Sequence, residues 1–335
     1  MGRLRYSNKI SGEPFNGRAP LTGIFRRAST MFGYAIRRVI LMLPLLLAVA
    51  TITFFLMHTV KGGPFDQDRP LSPAARERLD QRYGLNKSLP QQYLTYITNV
   101  SKADLGISFS NDRPVRDIIK DRFGVSIQLG LSAFGFALVL GLTLGIVSAI
   151  YQNGVFDYIG VFFATIGAAL PSFILAPVLV IVFAVNLGWF HALGFEFGDY
   201  KTMVLPTIAL GTLPTAFIAR ITRASMLDVL RQDYIRTARA KGIKEVSVVI
   251  KHAVKNAMIP VLTILGPILA GLITGSFIVE RAFAIPGLGS TFVGSVIIRD
   301  YGVIMGVTLF YAVIIAFMNL FVDLLYGLAD PRIRY

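Results

Sequence analysis

Long apolar runs separated by short charged stretches dominate the chain, and six of them are long enough to cross a bilayer. A helix needs about 20 residues to span ~30 Å of hydrocarbon. The runs are Val39–Val60, Ile127–Ile150, Tyr158–Leu187, Thr202–Ala219, Val261–Val279 and Val303–Leu325. Pro171 and Pro177 fall inside the third run and should kink or tilt it. Pro260 stands just ahead of the fifth, at a first-turn position where a missing N–H costs little. Between the first and second runs, residues 61–126 are polar enough for a small folded lobe. That segment holds Y-G-L at Tyr83–Leu85, an aromatic helix-like run at Gln91–Val100 and a turn at Ala103–Ser110. The Gly188–Lys201 connection is short, and its Trp189 and His191 suit an interface belt. The last connection, Arg281–Gly302, carries a P-G-L-G turn at Pro286–Gly289.

The pattern predicts an all-α membrane protein with six transmembrane helices. Residues 1–30 read as a mobile basic tail, 31–60 as the first transmembrane segment, and 61–126 as an external lobe. Residues 127–335 then form a core of five helices, with a basic loop at 220–257. Small residues inside the spans, Gly141/Gly145 and Gly271/Gly275, have the spacing that lets helices approach closely.

Composition supports a membrane protein, with 54% hydrophobic and only 16% charged residues. Soluble domains carry about 25% charged residues. Net charge is +14, unevenly placed. Residues 1–38 hold eight Lys/Arg against one acid, and 220–257 hold nine against three. By the excess of positive charge on the inner side, both segments are expected in the cytoplasm. An even number of spans puts the two termini there together. The first apolar run starts too late for a cleavable signal peptide. With no Cys, disulfides and thiolate metal sites are excluded.

The chemistry is sparse. No G-x-x-x-x-G-K-[ST] run offers an ATP phosphate cradle, and no nucleophile elbow occurs. His58, His191 and His252 are isolated and lack metal-ligand spacing. The charged residues Glu280, Asp323, Arg220 and Arg223 sit at span ends, within reach of headgroups. A carrier driven by its own ion gradient usually needs buried carboxylates or His near the midplane. The chain therefore reads as a non-catalytic subunit, with no cofactor and with its energy supplied by a separate ATPase. The candidate contact is the basic segment Y-I-R-T-A-R-A-K-G, Tyr234–Gly242. On one helical wheel, Leu227, Leu230, Tyr234 and Ala238 share a face, while Gln232, Arg236 and Arg239 lie opposite. Thr237, Ala240 and Lys241 complete the segment, and Gly242 ends it as a left-handed cap. Such a helix fits a groove on a partner or lies on lipid. Residues lining a translocation path are not identifiable from sequence. A stand-alone secondary carrier or channel, and a scaffold or receptor, remain as other classes.

Motifs in order along the chain resemble a known family. They are R-R-V-I-L-M-L-P at Arg37–Pro44, K-G-G-P-F at Lys61–Phe65, R-Y-G-L-N at Arg82–Asn86, Q-Q-Y at Gln91–Tyr93 and D-L-G-I-S at Asp104–Ser108. A-R-I-T-R-A-S-M at Ala219–Met226 follows, then the Tyr234–Gly242 segment, P-G-L-G, R-D-Y at Arg299–Tyr301 and A-D-P-R-I-R-Y at Ala329–Tyr335. Together they resemble the membrane subunits of ATP-binding-cassette (ABC) importers of the peptide, nickel and opine class, in particular B-type subunits of oligopeptide permeases. The resemblance implies a type I importer fold in a bacterial inner membrane and a heterodimeric pore with a C-type permease. It also implies two ATPase subunits, an external peptide-binding protein that docks on the 61–126 lobe, and oligopeptide cargo, with nickel, opines or glycosides as alternatives. The ATPase-contacting motif, generically E-A-A-x-x-x-G, maps onto this chain with Arg236 in place of Glu, Thr237 in place of the first Ala, and Ala238 and Gly242 matching. The I-x-L-P that usually follows is displaced to Met258–Pro260.

Overall fold

The computed structural model describes residues 21–59, 64–65 and 72–329, and the side chains within 33–324 of that set. The expected tail as far as residue 20, Lys61–Gly63 and the final motif from residue 330 lie outside the described residues. Among the described residues there is no strand, only an isolated bridge between Ile107 and Pro114. Five helices are long and apolar enough to span a membrane, and a broken pair makes a sixth.

Helix α1, Leu21–Thr59, contains the first span and starts ten residues inside the segment expected as a tail. It packs against α13, Tyr301–Ala329. Arg38 meets Asp323 at 2.7 Å, and the Tyr34 hydroxyl donates to the same carboxylate at 3.0 Å.

The external segment forms two helices, α2 (Pro73–Tyr83) and α3 (Leu89–Ser101). Both open with Pro in the first turn, where its fixed φ suits a helix start. Gly84 stops α2 at φ +69°, a backbone that side chains resist. Neither described helix of this lobe fully buries a residue. The lobe leans on α1 through rings, with Phe54 against Tyr93 (5.4 Å) and Tyr96 (5.9 Å). Asp300, at the head of α13, accepts the Phe109 N–H at 3.0 Å and the Ser108 hydroxyl, and so pins the loop that follows α3. The lobe ends at Pro114, because α4 runs from Val115 to Ile150 rather than from Ile127.

The main internal contact is α4 against α7, Tyr200–Leu230. Gly141 faces Ile218 and Thr215, and Gly145 faces Ala219 and Thr222. A Cβ at Gly145 would stand 2.6 Å from the Ala219 carbonyl, so glycine there sets the helix separation. The second glycine pair behaves differently. Gly271 has open space around it, and Gly275 lies beyond a helix end at φ +85°.

The third apolar run is broken rather than tilted. Helix α5 (Val155–Ala169) and α6 (Ser172–Leu179), which continues as a π-helix to Asn186, meet at 106°. Pro171 causes the break by forcing Leu170 into extended backbone, φ −89° and ψ 110°. The fifth run also departs from expectation. Short α8 (Asp233–Ala240) and α9 (Glu245–Ser247) precede a π-helical stretch, Val248–Val254, that leads directly into α10, Lys255–Ile273. Pro260 therefore lies inside a helix, with the π-helical turns just upstream of it. The chain breaks at Thr274–Gly275 and forms a hairpin of α11 (Phe277–Ala282) and α12 (Leu288–Ile297) before α13. Residues of α4, α6, α7 and α11 share one core: Leu129, Ala176, Leu179, Leu205, Val279 and Phe283. The broken span and the hairpin are thus packed on the same two helices.

Candidate docking surface

The Leu227–Lys241 segment is two helices, not one. Helix α7 carries Leu227 and Leu230 to its end, Gln232 is extended (φ −71°, ψ 150°), and α8 restarts at Asp233. The acidic Asp233 suits the positive end of the new helix. The corner rotates α8, so that Ile235 and Ala238 turn inward and Tyr234 turns out. A wheel drawn through the whole segment therefore misplaces Tyr234 and misses Ile235.

Ile235 is 0% exposed. It packs with Met226, Val248, Val249 and Ala253, and partly buried Leu227 and Leu230 border the same cluster. Of the expected apolar face, Ala238 is buried within this chain, Leu227 and Leu230 are partly buried there, and Tyr234 turns out. The outward surface is polar and cationic: Tyr234 (43% exposed), Arg236, Thr237, Arg239, Ala240 and Lys241. Tyr234 accepts a hydrogen bond from Asn256 at 2.9 Å. Arg239 forms a two-pronged pair with Glu245, at 2.6 and 3.1 Å, which closes the loop between α8 and α9. Among the described residues, the acidic neighbour of Arg236 is Asp233, at a distant 3.7 Å. Gly242 takes φ +74°, as expected of a left-handed cap, and its N–H reaches the Arg239 carbonyl at 2.9 Å.

Behind this surface lies a buried ion pair. Arg223 of α7 grips Asp157 of α5 with two bonds of 2.7 Å, and the Asn153 N–H adds a third at 2.9 Å. Arg223 therefore does not reach for headgroups, and Arg220 lies over the Phe217 ring at 5.2 Å. The pair ties the first half of the broken span to the helix that carries α8. Sequence reading missed Asp157, because its partner is 66 residues away. Glu280 is also not at a headgroup: it is 0% exposed.

The family of binding-protein-dependent transport system inner membrane components matches residues 141–335, and the N-terminal model of the same membrane component matches residues 31–130. The oligopeptide transport system permease protein OppB of Haemophilus influenzae is 42% identical, over 91% of this chain and 100% of its own length. The dipeptide transport system permease protein DppB of Bacillus subtilis is 44% identical, over 91% and 98%. Among solved structures, the MetNI methionine ABC transporter in an inward-facing form superposes with a TM-score of 0.52 at 15% identity, covering 64% of this chain and 96% of that one. An amino acid ABC transporter with histidines gives 0.51 at 14%, covering 63% and 94%. These last two share the fold.

Proposed function

This chain belongs to the family of binding-protein-dependent transport system inner membrane components, and on that premise we propose how it is driven. It is the permease subunit of an ABC importer for peptides, a multi-pass protein of a bacterial inner membrane. The names of the relatives favour peptide cargo over nickel, opines or glycosides, and an importer subunit over a stand-alone secondary carrier. The sequence contains no phosphate cradle. In our reading hydrolysis therefore resides in two partner ATPases, a C-type permease completes the pore, and an external binding protein delivers the peptide to the α2–α3 lobe. We orient α8 toward the cytoplasm, on the charge excess of residues 220–257.

The observation that carries the mechanism is the division of α8 into two faces. Ile235 and Ala238 anchor it to α7 and to the π-helical start of the fifth span. Tyr234, Arg236, Thr237 and Ala240 are left outward for an ATPase. A push on that face is passed to α7 and α10 together, because both end in the same cluster. From α7 it reaches α5 through Arg223 and Asp157. A cationic rim also steers an acidic partner surface and rejects a basic one.

The test is Arg236→Glu combined with Thr237→Glu in the assembled importer. Both positions are exposed, so the fold is spared. We expect ATP turnover stimulated by the loaded binding protein to fall at least tenfold. Transport and hydrolysis that stay tightly coupled in this variant refute docking through α8.

A further inference from the structure

Glu280 is a fully buried carboxylate that the driving mechanism above does not use. Among the described residues no Lys or Arg forms an ion pair with it. Its partners are three neutral donors. The Ser126 hydroxyl of α4 donates to Oε1 at 2.7 Å, the Ser290 N–H donates to Oε2 at 2.8 Å, and the Gly289 N–H adds a third bond. Ser126 works in both directions, because its Oγ also accepts the Leu288 N–H at 2.8 Å. Leu288, Gly289 and Ser290 are the first three residues of α12. Their N–H groups have no partner inside the helix, and the helix end carries partial positive charge. Glu280 therefore caps a helix from another element and joins it to α4.

The surrounding loop is shaped to this carboxylate. A Cβ on Gly287 would collide with the Glu280 carboxyl group, one on Gly275 would lie 2.6 Å from Oε1, and one on Gly289 would lie 3.0 Å from Oε2. The P-G-L-G motif and the glycine at the α10–α11 break thus bring backbone onto one side chain. Arg122 of α4 donates to the Pro286 carbonyl at 3.4 Å and holds the loop from the other side. Gly275, at φ +85°, is the joint between the fifth span and this hairpin. The hairpin in turn packs on α6, the far half of the broken span.

We propose that Glu280 is a positioning residue for transport: its carboxylate locks the α11–α12 hairpin to α4, so that movement of the fifth span bends the chain at Gly275 and leaves the hairpin and α6 in place as the fixed wall of the pore. This assignment rests on the peptide-importer reading. The side chain acts here as an acceptor, because its partners donate to it. Glu280→Gln keeps the shape but replaces one acceptor with a donor, so a Ser126, Gly289 or Ser290 hydrogen meets an N–H. The hairpin is then released without loss of volume.

Two measurements on the full chain test this. In the reconstituted complex, we expect Glu280→Gln to lower peptide taken up per ATP hydrolysed at least tenfold while basal hydrolysis persists. By hydrogen exchange on the purified chain, we expect Gly289 and Ser290 to exchange at least tenfold faster, with the middle of α4 and α7 unchanged. Ser126→Ala, which leaves the carboxylate in place, should show both effects more weakly, and it decides the matter if Glu280→Gln fails to assemble. An unchanged coupling ratio, unchanged exchange, or a parallel loss of coupling ratio, hydrolysis and α4 protection overturns the proposal. Failure of the wild-type complex to move peptide counts against the importer reading instead, and the exchange result still judges the lock.

Discussion

Helix α8 is an eight-residue element that buries only two side chains, Ile235 and Ala238. An isolated helix of that length is unstable in water, so tertiary contacts must hold it. Ile235→Ala removes three carbons from a fully buried site. At about 0.8 kcal/mol per buried methylene the transfer loss is ~2.4 kcal/mol, and the cavity left behind adds to it. A total near 3 kcal/mol lowers the docked-to-undocked ratio of α8 by roughly two orders of magnitude. Hydrogen exchange at residues 233–240 reads that ratio directly, since short peripheral helices exchange through local opening. The expected result is exchange about a hundredfold faster in Ile235→Ala. Arg236→Ala, one residue along and exposed, should leave exchange unchanged. If Tyr234→Ala opens α8 as much as Ile235→Ala does, the inward face is misassigned and the two-faced account of coupling falls with it.

Three further outcomes are expected. Gly145→Val drives a side chain into the Ala219 carbonyl and Thr222, and should destabilise the chain by about 1–3 kcal/mol, visible as a lower melting temperature in detergent; Gly271→Ala, with open space around it, should not. Asp157→Asn leaves the Arg223 guanidinium facing a neutral amide. Because Arg223 is 28% exposed, the cost should be about 2 kcal/mol, below that of a fully buried broken pair, and Asp157→Asn with Arg223→Gln should cost less than the sum of the two single changes. Burial pushes the Glu280 carboxyl above the ordinary Glu range, partly offset by its bonds from Ser126, Ser290 and Gly289. A raised folded-state pKa gives stability that is complete below the unfolded value near 4.5 and is lost as pH rises through the folded one. The melting temperature of wild type should therefore fall over that range relative to Glu280→Gln; Arg122 on α4 and Tyr311 on α13 face the same region and are common to both proteins, so equal pH slopes contradict the assignment.

The spans were legible because about twenty apolar residues in a row have few other uses. The helix approach at Gly141 and Gly145 was only half legible: the same spacing at Gly271 and Gly275 marks no close helix contact, so the pattern alone does not separate the two pairs. The breaks were harder. Pro171 announced a disturbance, but its size, 106°, depends on how α5 and α6 pack, and proline chemistry alone does not fix that. The corner at Gln232 carried no capping side chain and no Pro or Gly, so a wheel ran straight through it. Glu280 and Asp157 were least legible. Each sits in a sequence position that suits an interface, and each owes its burial to partners 154 and 66 residues away.

Those two carboxylates also bear on how a passive subunit transmits force. Asp157 joins α5 to α7 through a charged partner, so the first half of the broken span should follow the helix that carries α8. Glu280 joins α12 to α4 through neutral donors, and α11 packs on α6, so the second half of the broken span is grouped with the hairpin. The break at Pro171 separates the two groups. Relative motion of α5 and the Arg223 end of α7 against the α6–α11–α12 group would then concentrate at Leu170–Pro171 and at Thr274–Gly275. At both, a long apolar run is interrupted without a polar loop. A disulfide between cysteines placed on α6 and α11 should be tolerated during transport, and one between α5 and α6 across the break should arrest it. The opposite pattern, arrest by the α6–α11 link and tolerance of the α5–α6 link, would mean that the broken span moves as one piece and that the grouping by carboxylates is wrong.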